Sequence, residues 1–369
     1  MRLLITAGGT GGHVYPALAV ASELPPGTPV LWIGTARGME GELVTREGIK
    51  FESVQAGAVV GVGALRAMWG LARLAWGAAQ AARLVMRFRP DALFVTGGYT
   101  AIPVALVCWL ARVPILVYLP DIEPGSAVRL VARFAAKVAV TTEASRAYFP
   151  IKKIVVTGYP LRPALLRAAA ERERARSHFE LAEGRPTVLV FGGSRGARSI
   201  NLALLNALED LLADFEIIHV AGQQDWLAVA GRRARMSEEQ RVHYHAFAYL
   251  HDDMGLAFAA ADVAVCRSGA SVLGELPMFG LGAILVPYPH AWRYQKVNAD
   301  YLAERGAAVR LNDDELKMKL SATIRELLGD AARLQAMRAA SRALAVPDAS
   351  GRIAAELLQL ASGTESARP

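Results

Sequence analysis

Residues 3–13 read Leu3-Leu4-Ile5-Thr6-Ala7-Gly8-Gly9-Thr10-Gly11-Gly12-His13, a short apolar strand running straight into a glycine-rich turn. Two further stretches repeat the pattern. Ala92-Leu93-Phe94-Val95 enters Thr96-Gly97-Gly98-Tyr99-Thr100, and Thr187-Val188-Leu189-Val190 enters Phe191-Gly192-Gly193-Ser194-Arg195-Gly196. Glycine allows φ > 0 and lets a ligand come close to the backbone. A helix opening after such a turn aims free N–H groups and the positive end of its dipole at whatever lies there. Taken singly, each turn is also what a plain strand-to-helix turn looks like. Together, spread over both halves of the chain, they suit a site for phosphates and hydroxyls. None has the G-x-G-x-x-G spacing and none ends in Gly-Lys-Ser/Thr. That argues against a dinucleotide-dependent dehydrogenase and against a P-loop ATPase.

Comparable runs recur at βα spacing on either side of these turns. The first half adds Val30–Gly34, Ile115–Tyr118, Val138–Thr141 and Ile154–Thr157. The second half adds Glu216–Ala221, Val242–Phe247, Val263–Cys266, Ala283–Pro287 and Ala308–Leu311. Continuous apolar runs, rather than alternation, indicate strands covered on both faces, as in parallel sheets. The fold expected is α/β, two doubly wound Rossmann-like domains facing across a cleft. Ligands of such sheets bind beyond the carboxyl ends of the strands. Gly158-Tyr159-Pro160-Leu161-Arg162-Pro163 stops one strand run and permits a bend. The expected domains are therefore 1–160 and 161–346. A helix over 164–179 opens the second, and a helix over 347–362 packs back on the first. Residues 363–369 read as a frayed tail.

The chain has 369 residues, a hydrophobic fraction of 53% and a formal net charge of +7. This is ample for two cores, and the charge favours anionic partners. Cys108 and Cys266, far apart and flanked by apolar residues, read as core thiols of a reducing compartment. No secretory signal is expected, because Met1–Ile5 runs directly into a turn. No apolar run is long enough to span a bilayer; the nearest, 96–110, reads as a buried helix. No cofactor and no metal are expected: no Asp-x-Asp pair or His/Cys cluster with ligand spacing is evident.

The densest polar information lies in Cys266–Asn298. A strand ends at Cys266, Arg267–Ser271 forms a turn, and a helix then carries Glu275 in its first turns, where the dipole favours a carboxylate. Glu275 can accept from both hydroxyls of a ribose, or it is only a helix-start charge. Gln295 and Asn298 are three apart and share a helical face, which suits recognition of hydroxyl or acetamido groups, or it is a solvated helix start.

The ordered set GGTGGHVYPALAVA (8–21), TGGYTAIP (96–103), TGYPLR (157–162), FGGSRGARSIN (191–201), DDM (252–254), CRSGA…GEL (266–276), PYPH…RYQKVNA (287–299) and VPDASGRIA (346–354) resembles the MurG family. These are inverting N-acetylglucosaminyltransferases of the GT-B fold, which complete lipid II in peptidoglycan synthesis. The resemblance covers nearly the whole chain. It implies UDP-GlcNAc as donor, a lipid-linked acceptor (lipid I), an anionic membrane surface as partner, and no nucleic acid. It implies that Glu275 holds the ribose, that Ser194 with the turn Ala270, Ser271 and Val272 meets the pyrophosphate, and that Leu273 and Gly274 also belong to the substrate site. Arg162 and the backbone near His251 would contact the nucleotide, and Gln295 and Asn298 would read the sugar. Thr10, Gly11, Gly12 and His13 would reach the transferred sugar and the acceptor. Two departures stand out. Arg195 replaces the family's glutamine, and Tyr118-Leu119-Pro120-Asp121 replaces its His-Glu-Gln-Asn, leaving only Asp121 to stand in. The alternatives are a related transferase with another lipid or glycan acceptor, or an epimerase-like enzyme on the same architecture.

A sugar transfer needs a base for the attacking hydroxyl. His13 is the leading candidate, since its ordinary pKa suits proton abstraction at neutral pH; Asp121 and Glu123 are the others. Between Glu52 and Asp91 no acidic residue occurs. At 100° per residue, Arg66, Trp69, Arg73, Trp76, Gln80, Arg83 and Arg87 fall on one helical face, as in a helix lying on anionic lipid. Met68, Leu71, Leu74, Ala75, Ala78, Ala82 and Val85 form the expected core face. The resemblance likewise implies a peripheral enzyme at the cytoplasmic face of the plasma membrane, attached through its first domain.

Overall fold

The computed structural model describes residues 1–365 apart from 9, 10, 37, 39, 57–63, 194, 195 and 292; at 64–68, 71, 364 and 365 only the backbone is described. The chain divides into two compact units, Met1–Arg162 with Asp348–Pro369, and Pro163–Pro347.

In the first unit the strands are β1 (Leu3–Ala7), β2 (Val30–Gly34), β3 (Lys50–Ser53), β4 (Ala92–Gly97), β5 (Ile115–Leu119), β6 (Lys137–Val140) and β7 (Ile154–Val156). They pair in parallel in the order β3-β2-β1-β4-β5-β6-β7. Its helices are α1 (Gly11–Ala21), α2 (Glu40–Arg46), α3 (Ala64–Phe88), α4 (Ala101–Leu110) and α5 (Ser126–Val131). In the second unit the strands are β8 (Thr187–Phe191), β9 (Glu216–Val220), β10 (Tyr244–Phe247), β11 (Val263–Cys266), β12 (Gly282–Leu285) and β13 (Ala308–Arg310). Their order is β10-β9-β8-β11-β12-β13, again all parallel. Its helices are α6 (Pro163–Ala168), α7 (Arg172–His178), α8 (Arg198–Leu212), α9 (Trp226–Ala234), α10 (Glu238–Arg241), α11 (Met254–Ala260), α12 (Val272–Phe279), α13 (Tyr294–Glu304), α14 (Leu316–Gly329) and α15 (Ala331–Ala343). The last helix, α16 (Ala349–Glu365), lies in the first unit.

The central strands are buried along their whole length, which is why they read as unbroken apolar runs. One face of the first sheet is covered by α1 and α16, whose Ile353, Ala354, Leu357 and Ala361 pack with Leu3, Ile5, Phe94 and Tyr118. The other face is covered by α3 and α4, through Ala81, Val85, Val104 and Cys108.

Several expectations need correction. The strand β3 carries Lys50, Glu52 and Ser53 at the sheet edge and is only half covered, so it has no apolar signature. The helix expected over 164–179 is two helices, α6 and α7; the break lets Arg172 donate to the carbonyls of Ala259 and Ala261. The helix α16 continues to Glu365, past the start of the expected tail. In α4, Ala101, Val104, Ala105 and Cys108 are buried, but Leu106, Trp109 and Leu110 are exposed, so it is a one-sided surface helix rather than a buried one.

The helix α3 differs most. Its buried stripe is Gly70, Gly77, Ala81 and Val85, with Leu74, Ala78 and Ala82 half-buried and Ala75 exposed. A side chain at Gly77 would stand 1.9 Å from the Gln55 carbonyl oxygen, so small residues set the contact and larger ones are pushed off it. Trp69 and Trp76 are 68% and 64% exposed, so no described loop covers them. Arg73, Arg83 and Arg87 are exposed as well, while Gln80 accepts from the Gln55 amide. The side chains of Arg66, Met68 and Leu71 lie outside the described residues. No helix among the described residues is long and apolar enough to cross a membrane.

Candidate active site

Each sheet reverses its strand order once, between β1 and β4 in the first unit and between β8 and β11 in the second. Open α/β sheets bind ligands at such points, because the loops leaving the two strands diverge and leave a crevice. The first and second glycine turns follow β1 and β4. The third turn and the Arg267–Ser271 turn follow β8 and β11. The four turns that carry the polar motifs therefore stand in pairs at the two switch points.

In the first unit, glycine is required by contact as well as conformation. Gly97 and Gly98 have φ of +140° and +94°. A side chain at Gly98 would stand 2.8 Å from the Gly8 carbonyl oxygen, and one at Gly97 would stand 2.6 Å from His13 Cε1. The His13 ring, in the first turn of α1, thus lies directly against the second glycine turn. Thr96 Oγ1 donates to the His13 carbonyl at 2.8 Å and ties the two turns together. His13 Nδ1 is buried and has no hydrogen-bond partner among the described residues. Burial holds the imidazole below its ordinary pKa, against the opposing pull of the Asp121 charge and the Thr96 backbone. It is therefore neutral at physiological pH, with a lone pair to offer. Gly11 and Gly12 open α1 beside it; Thr10 lies outside the described residues.

Asp121 sits just past β5, half-exposed, and acts electrostatically on both His13 and Tyr118. Tyr118 is fully buried and its hydroxyl meets Thr141 Oγ1 at 2.8 Å, while Leu119 is buried at the end of β5. Of that segment only Asp121 lies open to a ligand. Glu123 is buried, with the Arg129 guanidinium 3.8 Å away. Arg162, at the end of the first unit, places its guanidinium 4.9 Å from the centre of the Tyr15 ring on α1.

Sequence reasoning missed Glu40. It is fully buried at the start of α2, and Oε1 accepts from the Thr35 amide and hydroxyl at 2.9 and 2.7 Å. A side chain at Gly8 would stand 2.8 Å from the same Oε1. Gly34 at the end of β2, with Thr35 and Gly38 after it, was the available signal, a further glycine-bearing turn at a strand end.

In the second unit, Gly193 and Gly196 both have φ of +82°, and a side chain at Gly196 would stand 2.2 Å from the Ala221 carbonyl oxygen. Ser194 and Arg195 lie outside the described residues. At the other turn, Val272, Leu273 and Gly274 spend their amides on the carbonyls of Gly269, Ala270 and Ser271. Val272 and Leu273 are also buried, so the free N–H groups expected there do not come from these residues. Ser271 Oγ donates to Glu275 Oε2 at 2.7 Å, which fixes the half-exposed carboxylate over the helix start.

The turn is held from behind. Arg267 donates to Asp313, to Ser199 at the start of α8, and to the carbonyls of Val286 and Pro287. Asn298 is fully buried and its Nδ2 donates to the Ser268 carbonyl at 3.1 Å. Gln295 Oε1 accepts from the Tyr288 amide, and its carbonyl accepts from Ser268 Oγ. Gln295 and Asn298 thus share a face, as their spacing requires, but Asn298 faces the core. His251 is exposed and stacks edge-on with Tyr249 at 4.7 Å. Among the described residues no three His, Cys, Asp or Glu side chains are grouped as a metal would need.

The arrangement offers, in one unit, an uncharged imidazole that feels the charge of the Asp121 carboxylate. In the other it offers a fixed carboxylate and a glycine turn before a helix. Residues 3–140 match the glycosyltransferase family 28 N-terminal domain, and residues 187–353 match the C-terminal domain of that family. A UDP-N-acetylglucosamine–N-acetylmuramyl-(pentapeptide) pyrophosphoryl-undecaprenol N-acetylglucosamine transferase from Roseiflexus sp. is 40% identical, over 96% of this chain and 94% of the relative. The enzyme of that name from Moorella thermoacetica is 38% identical, over 95% and 96%. Among solved structures, Acinetobacter baumannii MurG is similar with a TM-score of 0.77 and 27% identity, over 97% of this chain and 99% of that one. Both domain matches, the full-length identity and the shared GT-B fold agree: the chain belongs to the MurG family of glycosyltransferase family 28.

Proposed function

We propose that this chain transfers N-acetylglucosamine from UDP-GlcNAc to undecaprenyl-pyrophosphoryl-MurNAc-pentapeptide, with inversion, forming lipid II for peptidoglycan. The observation that carries this reading is identity of 36–40% over nearly the full length with enzymes named for that reaction. His13 takes the proton from the attacking hydroxyl: its imidazole is neutral and its Nδ1 is free of partners among the described residues. Asp121 steadies the imidazolium that forms. Glu275, oriented by Ser271, accepts from the ribose hydroxyls. The Ser194 turn and the start of α8 offset the charge that grows on the departing UDP, and Arg162 adds a fixed positive charge for its phosphates. Asn298 and Arg267 act indirectly, by holding the Ser268 turn.

The first unit is the membrane side. Trp69, Trp76 and the arginines of α3 lie on a helix packed against α4, which exposes Leu106, Trp109 and Leu110. Aromatic and apolar groups mixed with arginine are what an interfacial surface presents to anionic lipid. The enzyme would work peripherally, at the cytoplasmic face of the plasma membrane.

The test is UDP release from UDP-GlcNAc with and without a lipid I analogue, with product mass analysis. Acceptor-dependent release with addition of one N-acetylhexosamine is expected. Release without acceptor, or conversion of the donor to its epimer, overturns the reading. Glu275→Ala should weaken UDP binding in calorimetry about tenfold or more, as expected for lost charge-assisted hydrogen bonds.

A further inference from the structure

A cavity of about 1110 Å³ opens in the second unit, at the end of the sheet opposite the glycine turns. Its lining includes Pro186 and Asp262, which immediately precede β8 and β11, so it borders the amino ends of the strands. Five arginines line it: Arg172 and Arg176 from α7, Arg185 from the loop before β8, and Arg338 and Arg342 from α15. Only Asp262 and the exposed Glu173 supply negative charge among the lining residues.

The buried counter-charge, Asp262, is already shared. Asp262 Oδ1 takes both Arg172, at 2.6 Å, and Arg338, at 3.3 Å, and its Oδ2 accepts the Thr187 amide. Arg176 donates to Thr187 Oγ1 and to the carbonyls of Ala182 and Arg185, which bring no charge. Arg185 lies 3.5 Å from Glu216, a buried carboxylate shared with His243 and His245. The Arg342 guanidinium lies over Gly280, where a side chain would stand 2.6 Å from its Nε. Arg338 responds to this crowding: burial, with Arg172 and Arg342 adding to it, holds its guanidinium below its ordinary pKa despite Asp262.

A concave wall that carries five arginines against two carboxylates focuses a positive field inward. Planar guanidinium forks match phosphate oxygens in pairs. Ligand cavities typically hold about 300–1000 Å³, so this one takes more than a single phosphate ion. We infer that this cavity is a second anion site, separate from the donor site and selective for a ligand carrying two or more phosphate charges, gripped chiefly by Arg338 and Arg342 against Arg172. The inference does not depend on the sugar-transfer reading.

The probe is inorganic pyrophosphate, titrated calorimetrically at low salt into the full-length protein saturated with UDP. Saturable binding is expected, falling as salt rises. Arg338→Gln/Arg342→Gln should weaken it at least about tenfold, the factor that one lost charge-assisted hydrogen bond carries. Ala339→Glu, which adds a negative charge to the lining and removes no contact, should do the same and guards against misfolding of the double variant. UDP binding should be unchanged in both. Flotation with phosphatidylglycerol vesicles separates the sources of the phosphate. If the double variant loses flotation along with pyrophosphate, the ligand is a lipid headgroup; if it keeps flotation, the ligand is soluble. No pyrophosphate binding by the parent protein, or equal binding by all three proteins, overturns the proposal.

Discussion

His13 is caught between two opposed influences, and that makes its role testable. Burial lowers its pKa, while the Asp121 charge raises it. A base whose pKa is lowered stays unprotonated to lower pH, so the acid limb of kcat/KM should lie below the ordinary histidine range. Asp121→Asn removes the larger of the two influences that raise the pKa, so that limb should move to still lower pH, with turnover partly kept. His13→Ala should lower kcat by about 10²–10⁴ while UDP still binds, the span usual for a general base. If Asp121 is itself the base, Asp121→Asn will match the loss in His13→Ala and the limb will vanish rather than move. A pH–rate series on the three proteins decides between the two. Reading the sequence places His13 after the first glycine turn and leaves Asp121 as the one remnant of its segment. It does not reveal that the His13 ring rests on Gly97, because that contact depends on β1 and β4 being neighbours. Glu40 escaped for a related reason: a buried carboxylate in a polar stretch looks like surface until its Thr35 partner is seen.

At the scale of elements, burial on both faces made the central strands legible. The runs at β2 and β11 coincide with their observed ends, whereas β3 was hidden because an edge strand needs no apolar face. In α3 the outward face was legible, since Trp69, Arg73, Trp76, Arg83 and Arg87 are exposed as their spacing requires, but the buried stripe was not. A core contact made through Gly70, Gly77 and Ala81 leaves almost no hydrophobic signal, and the helix turns its tryptophans outward. That outward face supports the lipid-facing role, and a variant tests it. Replacing Trp69 and Trp76 by Ala, and Arg73 and Arg83 by Glu, should abolish co-sedimentation with anionic liposomes. These side chains are exposed, so UDP affinity and melting temperature should stay near those of the parent. Unchanged liposome binding would leave α3 a solvated surface helix. Partial retention that disappears when Trp109 is also changed would extend the contact to α4.

For the molecule as a whole, the chain returns at its end to where it began. The strand β1 is its first element and α16 its last, yet Leu3 and Ile5 share a core with Ile353, Leu357 and Ala361. All of the second unit, Pro163–Pro347, lies between them in sequence. The first unit therefore cannot complete its core until α16 is available, whereas the main core cluster described in the second unit draws on residues 188–337 of that unit. Leu357 is fully buried, and replacing such a leucine with alanine typically costs about 2–5 kcal/mol. Leu357→Ala should therefore weaken the unit at the other end of the sequence. Native-state hydrogen exchange reads this directly. Amides of β1, β4 and β5 should lose protection, while those of β8, β11 and β12 keep theirs. Equal loss in both sheets would mean that the two units unfold as one, and no loss in the first sheet would mean that α16 contributes little to its stability.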